Sequence, residues 1–168
     1  MTVQIDDAGV GDLLLGAVIG AYRPESDEFS YGMVEVEYFR PPNFRKKGYI
    51  GRASDVVLDV LSRIGVKDSE EIQICSSFIF EQALREIGRK YGRERVSVVK
   101  IIGSAQRHAE TAYLDEIRNI GYEPRDDREM RRARSFFHML HWIKEDPERI
   151  RYAKTGWPRL RRYIHISR

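Results

Sequence analysis

The 168-residue sequence predicts an α/β protein on a mixed five-stranded sheet, three antiparallel strands first and a β-α-β-α run after them. Three observations predict it. Short β-branched runs separated by Gly- and Pro-rich turns fill residues 2–39. Strand and helix patterns alternate from Glu71 to Gly121, with crossovers long enough to be helical, which implies parallel pairing. A basic stretch of helical spacing closes the chain as a helical extension. The length suits one domain over residues 1–124, with residues 125–168 packed on it.

The elements follow in order. Thr2–Asp6 alternates as a first strand and Leu13–Tyr22, "LLLGAVIGAY", as a second, with the Gly9/Gly11 turn between them. After the turn-rich "RPESDEFS", Tyr31–Phe39 alternates Val34, Val36 and Tyr38 against Met33, Glu35 and Glu37, a half-exposed third strand that Pro41 and Pro42 terminate. From Arg52 to Ile64, Val56, Val57, Val60, Leu61 and Ile64 recur at helical spacing up to Gly65. Glu71–Cys75 is then a strand, Phe78–Tyr91 a helix, Val96–Ile102 a strand and Ser104–Ile120 a helix N-capped by Ser104. A last helix spans Asp127–Lys144.

The apolar fraction of 42% and charged fraction of 33% describe a folded protein with a charge-rich surface. Abundant Arg, Lys and Glu with one Cys is also the mix of proteins from hot environments. Cys75 has no partner in the chain, which excludes an internal disulfide framework. With no basic-apolar-small leader and no apolar run of membrane-spanning length, the expected location is the cytoplasm and the expected membrane role none. The net charge of +3 is uneven: Arg125–Arg168 holds 13 Lys plus Arg against 6 Asp plus Glu, while residues 1–124 hold 16 against 20. A basic tail beside an acidic body suits either a polyanion-binding arm or a segment docked on that body.

The opening "VQIDDAGVGDLLLGAVIG" resembles the first hairpin of the ribonuclease H-like superfamily, in which an apolar strand ends in Asp and Gly residues flank the turn. The resemblance is close over about twenty residues and continues as element order. It implies a three-layer fold and a nuclease whose two Mg²⁺ or Mn²⁺ ions sit between carboxylates converging from separate elements, one ion forming hydroxide and the other stabilising the leaving oxygen. On that match Asp6 is the first metal-binding Asp, with Asp7 or Asp12 beside it. The first helix offers Asp55 and Asp59; the helix "SAQRHAETAYLDEI" offers His108 and Asp115 two turns apart on one face, with Glu110 pointing elsewhere. Asp6, His108 and Asp115 are thus the expected catalytic residues, and Asp6, Asp7, Asp55 and Asp115 the expected metal ligands. The fourth strand ends "ICSSF", with Cys75, Ser76 and Ser77 where many relatives carry an acid.

Every one of these residues has a plainer use: Asp6 and Asp7 as turn acceptors, Asp55 as a first-turn acid, His108 and Asp115 as solvated helix residues. Arg131, Arg132, Arg134, Arg159, Arg161 and Arg162 are the expected nucleic-acid contacts, with Trp157 and Tyr163 for stacking. "KKGYIGR" at 46–52 is a basic loop without Walker spacing, and "HMLH" at 138–141 has zinc-like spacing but no third ligand. The expectation is a metal-dependent nuclease, against a non-catalytic nucleic-acid- or protein-binding relative, a homodimer included, or a small-molecule enzyme on the same scaffold.

Overall fold

In a computed structural model of the chain, residues 1–164 are described, except for the Arg161 side chain. The strands are β1 (Thr2–Ala8), β2 (Ala17–Arg23), β3 (Glu28–Val34), β4 (Glu71–Cys75) and β5 (Val96–Val99), and the helices α1 (Gly48–Ile64), α2 (Glu81–Tyr91), α3 (Ser104–Asn119) and α4 (Arg132–Glu145). They form a mixed five-stranded sheet of order β3-β2-β1-β4-β5. β1 is antiparallel to β2 and parallel to β4, so the central strand joins the hairpin half of the sheet to the crossover half. This order is compatible with the expected one.

Strand alternation divides β1 between two cores. Val3 and Ile5 pack with Ile19, Ile72, Ile74, Val57, Leu61 and Ile87 under α1 and α2. Ala8 packs on the other face with Val18, Ala109, Tyr113, Phe136 and Leu140 under α3 and α4. Gly65, at φ 64°, ends α1 by donating its N–H to the carbonyls of Leu61 and Ser62. Beside it the buried Arg23 guanidinium holds Glu70 at 2.6 Å and the Ile64 carbonyl at 3.0 Å, tying the end of β2 to the entry into β4.

The structure departs from the expected boundaries for local reasons. β3 stops at Val34, where its pairing with β2 ends opposite Ala17, and the chain passes so close to Gly16 that a Cβ there would stand 1.6 Å from the Val34 carbonyl oxygen. The chain then turns into a 3-10 segment, Val36–Phe39, which buries Val36 and Phe39 three residues apart instead of alternating. β2 starts at Ala17 because Leu13–Gly16 is occupied by the tail: Lys154 N–H donates to Leu13 O at 3.0 Å and Leu15 N–H to Tyr152 O at 2.7 Å. β5 ends where its neighbour ends, Cys75 opposite Val99. Gly103, not Ser104, occupies the cap of α3, at φ 84°. α4 begins at Arg132, five residues later than the pattern implies, since 127–131 form a turn that turns Arg128 inward. No helix among the described residues is long and apolar enough to cross a membrane.

Candidate metal centre

β1 and β4 run parallel and end on the same edge of the sheet, the edge where open α/β sheets leave a crevice. Asp6, 8% exposed, lies near the end of β1, and its Oδ1 accepts the Asp7 N–H at 3.0 Å. The Cys75 thiol, last in β4, donates to Asp7 Oδ1 at 3.2 Å. One ligand atom from each of Asp6, Asp7 and Cys75 lies within 4.8 Å of the others, close enough to share a cation. Burial pushes both carboxyls above the usual range, and hydrogen bonds from Cys75 pull them partly back. The Cys75 thiol is pushed far up, first by burial and then by the two acids, so it is an S–H donor until a cation displaces its proton.

The loop after β1 forms the next wall. Gly9, at φ 81°, admits the Tyr113 ring so closely that a Cβ would stand 2.3 Å from it, and Tyr113 donates its hydroxyl to Leu14 O at 2.9 Å. The fully buried Lys154 ammonium fills the loop from beneath, donating to the carbonyls of Gly9 at 2.8 Å and Asp12 at 2.6 Å. Burial brings this lysine down to about 7, against a pull upward from Asp12. Asp12 itself points to Arg128, which also grips Glu110 of α3. Burial raises the Glu110 carboxyl, Arg128 lowers it, and Asp12 and Asp6 add to the rise, which places all three acids in one field. A cleft of about 530 Å³ is lined by Asp7, Asp12 and Glu110, with Lys100, Arg132, Phe78 and Trp157 on its walls, and the buried Asp6 lies behind Asp7 and Cys75.

The sequence-derived residues divide accordingly. Asp6 and Asp7 come together, and Asp7 and Asp12 line one cleft. Asp55 does not join them: it is exposed on α1 and lies outside the Asp6–Asp7–Cys75 group. Asp115 is also exposed and pairs with Arg118 at 3.3 Å. His108 stands between the rings of Tyr22 and Phe29, 5.0 Å from each, and 3.6 Å from Asp27 beyond β2. His108 and Asp115 do share one helix flank, but it faces the β2–β3 side. Glu110, two positions from His108, falls on the opposite flank of the buried Ala109 stripe and reaches the cleft, correcting its expected orientation. Helical spacing sets it off the His108 flank but does not tell which flank meets the cleft.

Of the basic residues, Arg132 lines the cleft. Arg131 is exposed and faces Asp127 at 3.9 Å, Arg134 and Arg162 are exposed, and Arg159 lies 4.8 Å over the Phe136 ring. The Arg161 side chain lies outside the described residues. Trp157 is in the cleft wall, whereas Tyr163 is used in packing, edge-on to Phe136 and Phe137. His138 is hydrogen-bonded to Tyr122 at 2.6 Å and His141 faces Glu145 at 3.4 Å, so "HMLH" forms no site with a third ligand among the described residues.

The carboxylate pair meets what Mg²⁺ or Mn²⁺ takes from protein, one or two acids with water completing the shell. The Cys75 sulfur is a soft donor and favours Mn²⁺ or Zn²⁺ over Mg²⁺ wherever it takes part. No family model, no curated protein and no solved structure matches this chain.

Proposed function

We propose that this chain is a divalent-metal-dependent nuclease of ribonuclease H-like type. The observation that supports it is the meeting of Asp6 and Asp7 within ligand distance at the end of the central strand, with Glu110 across a cleft walled by Lys100 and Arg132. A bound Mn²⁺ or Mg²⁺ would supply an activated water and Lewis-acid stabilisation of the leaving oxygen. The chain does the rest. Asp6 and Asp7 hold the cation, Lys100 and Arg132 neutralise phosphates entering the cleft, and Arg128 keeps Glu110 and Asp12 from repelling them.

The test compares the protein with Asp6→Asn in a cleavage assay on labelled DNA and RNA with Mn²⁺. Loss of at least about a hundredfold in rate, with unchanged circular dichroism, is expected. Equal cleavage by both proteins overturns the reading. One observation favours a second reading, a non-catalytic nucleic-acid-binding relative: Cys75 stands where an acid is expected, and Arg128 already neutralises Glu110 and Asp12. Nucleic-acid binding by the unaltered protein without cleavage in any divalent metal, and no heat of Mn²⁺ binding, would select it.

A further inference from the structure

We infer that the cleft takes single-stranded nucleic acid, with unpaired bases stacked on Phe78 and Trp157 and the backbone held by Lys100 and Arg132. The inference rests on the nuclease reading for the polymer and adds its strandedness.

Phe78, Ile79 and Phe80 form one 3-10 turn directly after the Cys75 corner. Ile79 and Phe80 are fully buried, while Phe78 is 61% exposed, its ring meeting only the edge of Tyr49 at 6.1 Å among the described aromatic pairs. Three adjacent apolar residues thus divide into two core anchors and one ring displayed on the cleft wall. Trp157 shares that wall: its backbone N–H donates to Lys154 O at 3.3 Å, and the Lys154 ammonium lies 5.6 Å from its ring. Lys100 and Arg132 are both exposed on the same cleft.

Phosphate-binding cations alone do not distinguish strandedness, because duplex and single strand share a backbone. Ring faces do. A duplex hides its base faces in the stack, whereas a single strand offers every base to an aromatic platform. An acidic peptide would also meet the two cations, but it has no base planes to stack on the rings.

The test is fluorescence anisotropy in EDTA, which prevents cleavage, on the full chain with about 12-nucleotide labelled single-stranded DNA, single-stranded RNA and the blunt DNA duplex of the same sequence. At least one single strand is expected to bind about tenfold tighter than the duplex. Phe78→Ala, a change at an exposed position, is expected to weaken single-strand binding about five- to tenfold and leave duplex binding unchanged, with Phe78→Trp restoring it. Duplex binding equal to or tighter than both single strands, unchanged single-strand binding in Phe78→Ala, or no binding of any of the three overturns the inference. Single-strand binding lost in Phe78→Ala, in a protein that cleaves nothing with Mn²⁺, supports it while ending the nuclease reading; metal-dependent duplex cleavage insensitive to Phe78→Ala does the reverse.

Discussion

Asp6 is a carboxylate that the fold keeps out of water with few donors around it. Its raised folded-state pKa means that ionisation costs stability, a cost absent below the ordinary value of 3.8 and fully felt once pH rises through the folded value. Asp6→Asn removes the charge and keeps the shape. In metal-free buffer at neutral pH the variant should therefore be more stable, by about 1 kcal/mol in urea unfolding, with the gain shrinking as pH falls toward 4; a variant less stable at every pH would contradict this account. Asp6 and Asp7 were legible in the sequence, because an acid pair ending an apolar strand before glycines has few places to go. Glu110 was not. Helical spacing grouped His108 with Asp115 correctly, but which flank faces the site depends on how Ala109, Ala112 and Tyr113 seat α3 on the sheet, and periodicity carries no such handed information.

Element by element, the turn before α4 contributes a cation to the site. Arg128, 9% exposed, spans Asp12 and Glu110 and stands as a built-in counter-charge to two acids beside the Asp6–Asp7 pair. Arg128→Gln should raise Mn²⁺ affinity at least about threefold by calorimetry, since the ion no longer competes with a guanidinium for the field of Glu110. The same variant should lose about 2–3 kcal/mol of stability without metal, because two acids are left facing each other. Weaker Mn²⁺ binding by a folded variant would show that Arg128 orients the ligands and does not compete with the ion. The helices and the β4–β5 half of the sheet were readable from apolar spacing and glycine stops. The tail-bound Leu13–Gly16 and the 127–131 turn were not, since both owe their shape to partners more than 100 residues away in sequence.

Across the whole molecule, the charge asymmetry resolves into docking as well as display: Arg128 and Lys154 of the basic tail are buried against the acidic body, while Arg132 stays at the cleft. Lys154 makes the fold pH-sensitive. With its pKa brought from 10.5 to about 7, both folded and unfolded chains carry the proton below that value, and the fold bears the whole cost of an enclosed ammonium. Between about 7 and 10.5 the unfolded chain binds a proton that the folded chain has released, so this group adds stability as pH rises. The stability of the unaltered protein relative to Lys154→Met should accordingly increase by a few kcal/mol between about pH 6 and about pH 9.5 in chemical denaturation, and a flat difference would show that the ammonium stays charged throughout. The reach of that lysine also bears on biosynthesis. Its contact with Gly9 joins residues 145 apart, so a growing polypeptide emerges from the ribosome with its acidic hairpin unclamped and acquires a finished pocket only after nearly all of these residues have been made.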